Sequence, residues 1–336
     1  MEVISARGRR GYLLTVFLVL VLFVAVTFLL SLAVGSLRLT LPQLLDALAG
    51  RGPLANRQII VNIRLPRNIT AALVGICLSL SGAILQGVMR NPLAAPNLIG
   101  VTSGGGLAAM IVMIVLPQFF GLLVPAAFLG ALVTTLSIYL LAWRRGVTPL
   151  RLILAGIAVS SLLGAFINAL MIFFPSRVSG VVDFMVGSLT ARGWRHVRIL
   201  WPYTLVGGAA ALLLGQQLNI LSLGDETATG LGMNVERTRF LLVTVSSVLA
   251  GAACSVAGLL GFVGLIVPHT MRAIVGSDHR VLLPASALFS AGLMMGCDTL
   301  GRMMMDPIEI PVGVIMAVIG APFFLSLIRG RAHGDA

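Results

Sequence analysis

Apolar runs of 18 or more residues recur along the whole of this 336-residue chain. Each is long enough to cross a hydrocarbon core about 30 Å thick. In lipid every backbone polar group must be satisfied within the chain, which leaves only helices or closed barrels. A barrel would show segments of about ten residues with alternating polarity, and the chain has none. The expected fold is therefore an all-α polytopic membrane protein forming one transmembrane domain over residues 1–336. Nine or ten spans are predicted, the eighth being short and interrupted by Pro: Tyr12–Val34, Ile69–Gln86, Leu98–Leu116, Gly121–Leu141, Leu150–Phe174, Ile199–Leu214, Phe240–Val256, Leu259–Ile274, Val281–Leu300 and Pro311–Ile328. The first run has 23 residues, longer than the apolar region of a signal peptide, and reads as a retained span.

Charge narrows the chemistry. Only 10% of residues are charged, the net charge is +12, and all 23 basic residues are Arg. A GxxxxGK[ST] phosphate loop needs its Lys, so ATP hydrolysis by that route is excluded, as is Schiff-base chemistry. The arginines are scattered between spans rather than gathered in a stripe. They suit lipid headgroups at helix ends, and no nucleic-acid partner is expected. The four histidines lack metal-ligand spacing, and Cys77, Cys254 and Cys297 sit in apolar runs without a CxxC pair. No catalytic residue, metal site or cofactor is expected. Ten of the eleven acids fall in predicted loops or tails and Asp298 lies near a span end, so a proton relay through the bilayer centre lacks parts.

The loop WRRGVTPLR and the tails ARGRR and RGRAH are Arg-rich, which predicts a cytoplasmic location for them. Ten spans then put both termini in the cytoplasm. The bias is small, about 13 arginines inside against about 10 outside, because the outer loops Gly35–Asn68 and Pro175–Arg198 are themselves basic. An internal repeat is also visible. Gly75, Gly82, Pro92 and Gly100 recur as Gly251, Gly258, Pro268 and Gly276 at a constant offset of 176. The offset shifts the pattern by five spans and so reverses its orientation, which predicts inverted repeats over roughly 60–175 and 238–328. Such repeats often build a pathway with alternating access.

One compact charged segment, 219–239, interrupts the hydrocarbon. Ser222 and Asp225 fit a capped helix start, Gly230 and Gly232 a helix end, and Asn234 with Glu236 a second start. Two short cytoplasmic helices are predicted. They are either a solvated loop or a docking surface for a soluble ATPase.

Four stretches carry a family resemblance: RLPRNITAALVGICLSLSGAILQGVMRNPLAAPNLIGVTSGG, LSLGDETATGLG, GFVGLIVPHTMRAIVGSDHRVLLP and IEIPVGVIMAVIGAPFF. The chain resembles, from about Arg64 to Arg329, the FecCD-type permease subunits of iron-chelate and vitamin B12 ABC importers. The resemblance implies a type II ABC importer permease fold in a bacterial cytoplasmic (inner) membrane. It also implies a paired permease, two ATPase subunits that hydrolyse the ATP, and a periplasmic or lipid-anchored substrate-binding protein. Leu223, Gly224, Asp225, Glu226, Thr227, Ala228, Thr229, Gly230, Leu231 and Gly232 would form the ATPase-coupling segment. Arg64, Arg67 and Arg302 would meet glutamates of the binding protein on the outer face. The segment VVDFMVGSLTARGW, with Val181, Gly187, Ser188, Leu189 and Trp194, would be a gating helix, and the fifth span would line the path. The motif wording is closer to ferric-siderophore permeases, with haem and cobalamin importers as the alternatives.

Overall fold

A computed structural model of the protein describes residues 6–35, 40–143, 147–178, 180–305 and 308–332. Arg144 and Arg145, part of the basis for the cytoplasmic assignment, lie outside these residues. The chain begins with α1 (Ala6–Ala33), the short α2 (Leu41–Leu48) and α3 (Leu54–Gln58), then α4 (Leu65–Val88). Next come α5 (Val101–Met110), α6 (Leu123–Ala142), α7 (Pro149–Phe173) and the one-turn α8 (Val182–Val186). The second half holds α9 (Trp194–Leu213), α10 (Gly215–Ser222), α11 (Asp225–Gly230), α12 (Val235–Ala257), α13 (Val263–Val275), α14 (His279–Met303) and α15 (Val312–Ala332).

Among the described residues six helical stretches are long and apolar enough to cross a membrane, and α9 with α10, bent by 50°, makes a seventh. Three shorter apolar helices, Val101–Val115, Val263–Val275 and Val312–Ser326, occupy the other three predicted spans. The second span is longer than expected. α3 passes through a π turn at Ile59–Arg64 into α4, so the helical stretch runs from Leu54 to Val88. Arg57, Arg64 and Arg67 had hidden that extension by lowering the local hydropathy.

α4 is the axle of the bundle. It packs against α9, α12, α13 and α14, and 78% of its apolar window is buried, against 6% for α1. Small residues make this possible. A Cβ built on Gly82 would lie 1.8 Å from the Gly264 carbonyl oxygen, so α4 and α13 touch backbone to backbone. Hydroxyl pairs close the other contacts of α4: Ser79 with Ser290 at 2.8 Å, Ser81 with Ser246 at 2.7 Å. Apolar side chains gain nothing by leaving lipid, so close approach and buried hydrogen bonds have to hold such helices together. Gly82→Ala is accordingly expected to cost about 1–3 kcal/mol or more through forced backbone separation. A normal melting temperature of the detergent-solubilised variant would refute that contact.

The chain breaks between α12 and α13. Gly258 (φ +79°) and Phe262 (φ +65°) turn it back on itself inside the bundle. Non-helical backbone at such depth needs partners within the protein. Here Ala257 O accepts from Ser188 N at 2.9 Å, and Leu259 N donates to Phe184 O at 2.9 Å. The 176-residue offset pairs Gly75 in α4 with Gly251 in α12, and Gly100 with Gly276, both at positive φ (71° and 87°). Its other pairs stand in different settings. Gly82 lies within α4 whereas Gly258 closes α12, and Pro92 precedes a helix whereas Pro268 lies inside α13.

Candidate functional site

α4 has a charged cluster at each end, roughly 35 Å apart along its axis. The charged segment meets the end near Arg90. Gly224, with φ +115°, turns the chain from α10 into α11, a conformation that a residue with a Cβ reaches only under strain. The Ser222 cap expected from sequence is not formed. Ser222 Oγ donates to the Asn219 carbonyl instead, and Gly224 holds the cap position. Asn234 does cap a helix, its Oδ1 accepting from Arg237 N at 3.0 Å. That helix is α12 itself, so a single short helix, α11, follows α10 in place of the two predicted.

Asp225 belongs to the scaffold. Its two oxygens accept from Arg239 Nη2 at 2.8 and 2.9 Å, and Arg90 Nη2 lies 3.5 Å away. Arg239 is 1% exposed and also donates to the Val147 carbonyl. Glu236 accepts from Val147 N at 3.2 Å and lies 3.6 Å from Arg239. This lattice fixes α11 to α12 and to the start of α7. Ala228 is buried beneath it. The outward surface consists of Leu223 (62% exposed) and Leu231 (64% exposed), with exposed Glu226, Thr227, Thr229, Gly230 and Gly232 around them.

The opposite end differs from expectation. Arg64, Arg67 and Arg302 were expected as exposed docking groups, and all three are only 5–6% exposed. Arg67 grips Asp298 with two parallel bonds of 2.9 Å and reaches Glu309 at 2.8 Å. Arg302 donates to Ser31 O at 3.1 Å and Ser31 Oγ at 2.9 Å, and its Nε lies 3.4 Å from Asp298. Arg64 donates to the carbonyls of Leu32 and Ala33 at the end of α1. Guanidiniums this close to hydrocarbon need paired acceptors, and the two acids with the α1 carbonyls supply them. Three guanidiniums and the Glu309 carboxylate line a cleft of about 180 Å³ that Gly35, Ile59 and Ile63 complete, with Asp298 buried behind Arg67. Burial opposes the charge on Glu309, but the Arg67 guanidinium outweighs it and holds that carboxyl below its usual range.

The expected gating segment abuts this cluster. Val181, Ser188 and Leu189 are buried, Gly187 O accepts from Gly313 N at 3.0 Å, and Trp194 Nε1 donates to Val61 O at 2.9 Å. Thr190 Oγ1 donates to Glu309 at 3.2 Å. The segment thus binds the α12–α13 break, the start of α15 and, through Glu309, the arginine cluster. Sequence reasoning named the arginines and the gate but missed Asp298, Glu309 and Thr190 as the groups joining them. It also missed Arg90 at the other end. Topology held a signal, since span counting puts Arg67, Asp298 and Glu309 at the same membrane face.

Both ends of the described chain lie at the Asp225 end. Tyr12 OH donates to Ile274 O at 3.1 Å, and Phe323 packs edge-on against His269 at 5.9 Å. Among the described residues, nine apolar helical segments packed with the buried α4 define a multi-pass helical membrane protein.

The profile of the FecCD transport family matches residues 22–330, and the chain belongs to that family. It is 39% identical over 330 residues to the Fe(3+)-citrate import system permease YfmE of Bacillus subtilis, covering 98% of each chain. Identity to the cobalamin import system permease BtuC of Halobacterium salinarum is 45% over 277 residues, 82% of this chain and 74% of that one. A solved structure described as an inward-facing metal-chelate type ABC transporter superposes with a TM-score of 0.83 at 31% identity, covering 94% of this chain and 99% of that one. The protein is therefore a permease subunit of an ABC importer, a class that works with ATPase and substrate-binding partners.

Proposed function

We propose that this chain carries a ferric siderophore or related iron chelate across the cytoplasmic membrane, driven by a separate ATPase and without a nucleotide site or cofactor of its own. The observation that carries the cargo assignment is the similarity to the ferric-citrate permease over nearly the full length of both chains. The cobalamin relative, more identical over a shorter stretch, keeps a corrinoid as the second reading.

Under this reading the Asp225 end and both termini are cytoplasmic, and Leu223, Glu226 and Leu231 face the ATPase. The arginine cleft faces the binding protein. A glutamate entering it would meet the guanidiniums of Arg64, Arg67 and Arg302, which line the cleft. α7 supports the path assignment. Leu154, Ala158, Ser161, Ala165, Asn168 and Ile172 form one exposed face of that helix. An exposed Asn within a span suits a water-filled path or a second permease better than lipid tails. A second copy packed against α7 would enclose it.

Growth of a deletion strain on single nutrients tests the cargo. Loss of growth on one ferric siderophore, restored by this gene, is expected. A defect confined to vitamin B12 or haem would overturn the iron-chelate reading and leave the importer class standing.

A further inference from the structure

The gating segment and the arginine cluster meet at a single atom. Glu309 Oε2 accepts from Arg67 Nη1 at 2.8 Å and from Thr190 Oγ1 at 3.2 Å. Among the described residues, the Thr190 bond is the one side-chain hydrogen bond that ties residues 187–192 to another part of the chain. Its direction is set from behind. Ser188 Oγ donates to Thr190 Oγ1 at 3.0 Å and accepts from Thr190 N at 3.1 Å. With that acceptor position filled, the Thr190 hydroxyl proton is left to point at the carboxylate.

Arg67 holds its two carboxylates in different settings. Its Nε and Nη2 take Asp298, which is 2% exposed and does not line the cleft. Its Nη1 takes Glu309, whose side chain is 31% exposed and does line it. Glu309 stands in the link between α14 and α15, outside any helix. An ion pair this open to water is weak, and a second carboxylate can exchange with the first. An acid arriving from outside would compete with Glu309 for Nη1 and leave Asp298 in place.

We propose that Glu309 is a built-in competitor for the docking carboxylate and, through Thr190, the latch of the gate. An aspartate or glutamate of the binding protein takes Nη1, and Glu309 Oε2 turns away. Thr190 uses the same oxygen, so the tip of the gate loses its tie in the same motion. Docking and gate release become one exchange of carboxylates. This rests on the cleft facing the binding protein. By linkage, whatever loosens the latch must also strengthen docking.

The test uses the transporter assembled with its ATPase in nanodiscs, in unmodified, Glu309→Ala and Thr190→Val forms. Two quantities are read: amide exchange of residues 187–192 without the binding protein, and affinity for that protein. Both variants are expected to speed the exchange about fivefold, the weight of one hydrogen bond, while α4 exchanges as before. Both should also bind the binding protein about two- to fivefold more tightly, because a tie that docking must break is already gone. A bridge with only a structural role would loosen the gate and leave affinity unchanged or weaker, and that result overturns the proposal. Unchanged exchange in either variant does the same. Glu309→Gln, which drops the charge and keeps the volume, replaces Glu309→Ala if the latter does not assemble, with the same expected signs. Exchange at residues 59–64, beside the cleft, is followed as the binding protein is added. Slowing there, with unaltered affinity in the variants, removes the latch and leaves the docking reading standing. No slowing there puts docking elsewhere and overturns both.

Discussion

Arg67→Met is expected to destabilise the protein by about 3–5 kcal/mol, the usual consequence of leaving a buried charge without its partner. Asp298 is 2% exposed and takes two of its hydrogen bonds from Arg67, so the variant strands it with Arg302 alone, at 3.4 Å. Arg67→Lys should fall between the two, because an ammonium offers a point charge where the site is shaped for a planar fork. Glu309→Gln is expected to cost at most about 1 kcal/mol, since Glu309 is about a third exposed and water can replace part of the lost pairing. Removing both buried charges, in Arg67→Met with Asp298→Leu, should recover most of the loss. The measurement is the fraction of each variant that stays monodisperse after heating in detergent. If Arg67→Met matched the unmodified protein, the network would be a crystallising of surface charges with no structural weight, and its link to the gate through Thr190 would lose its basis.

The same residues mark where sequence reading stops. The ten apolar segments were legible because hydrocarbon thickness sets a length that the chain must meet. Gly82 was legible as part of the repeated glycine pattern, whereas its backbone contact with Gly264 was not. Arg64, Arg67 and Arg302 were marked by the family resemblance, but their burial was not legible. The acids that permit it lie 231 and 242 residues away from Arg67, and no local pattern joins them. At the other end Ser222 and Asp225 matched a capping pattern. The positive φ of Gly224 decided the geometry instead, and the Asp225 carboxylate went to the buried Arg239 rather than to the helix end. In both places a side chain's local option lost to a distant charge that had no other partner in an apolar interior.

That distinction separates two substitutions which the sequence alone would treat alike. Asp225→Arg places a cation against the buried Arg239 and against Arg90, so it is expected to unfold the segment and lower the amount of protein in the membrane. Glu226→Arg combined with Leu231→Asp changes only the exposed surface of the segment. It should leave accumulation and melting unchanged while abolishing co-purification of the ATPase. Central apolar anchors of an interface are worth about 2 kcal/mol or more, so uptake is expected to fall at least about tenfold. The pair of variants thereby separates loss of fold from loss of contact. Normal ATPase capture by the Glu226→Arg, Leu231→Asp protein would remove α11 from the interface. The exposed leucines at 62% and 64% would then need another partner to cover them. Retained capture with lost uptake would put the segment after binding, in the step that transmits ATPase closure to α10 and α12. The direct bond between Asp225 and Arg239 makes α12 the stiffer of those two routes.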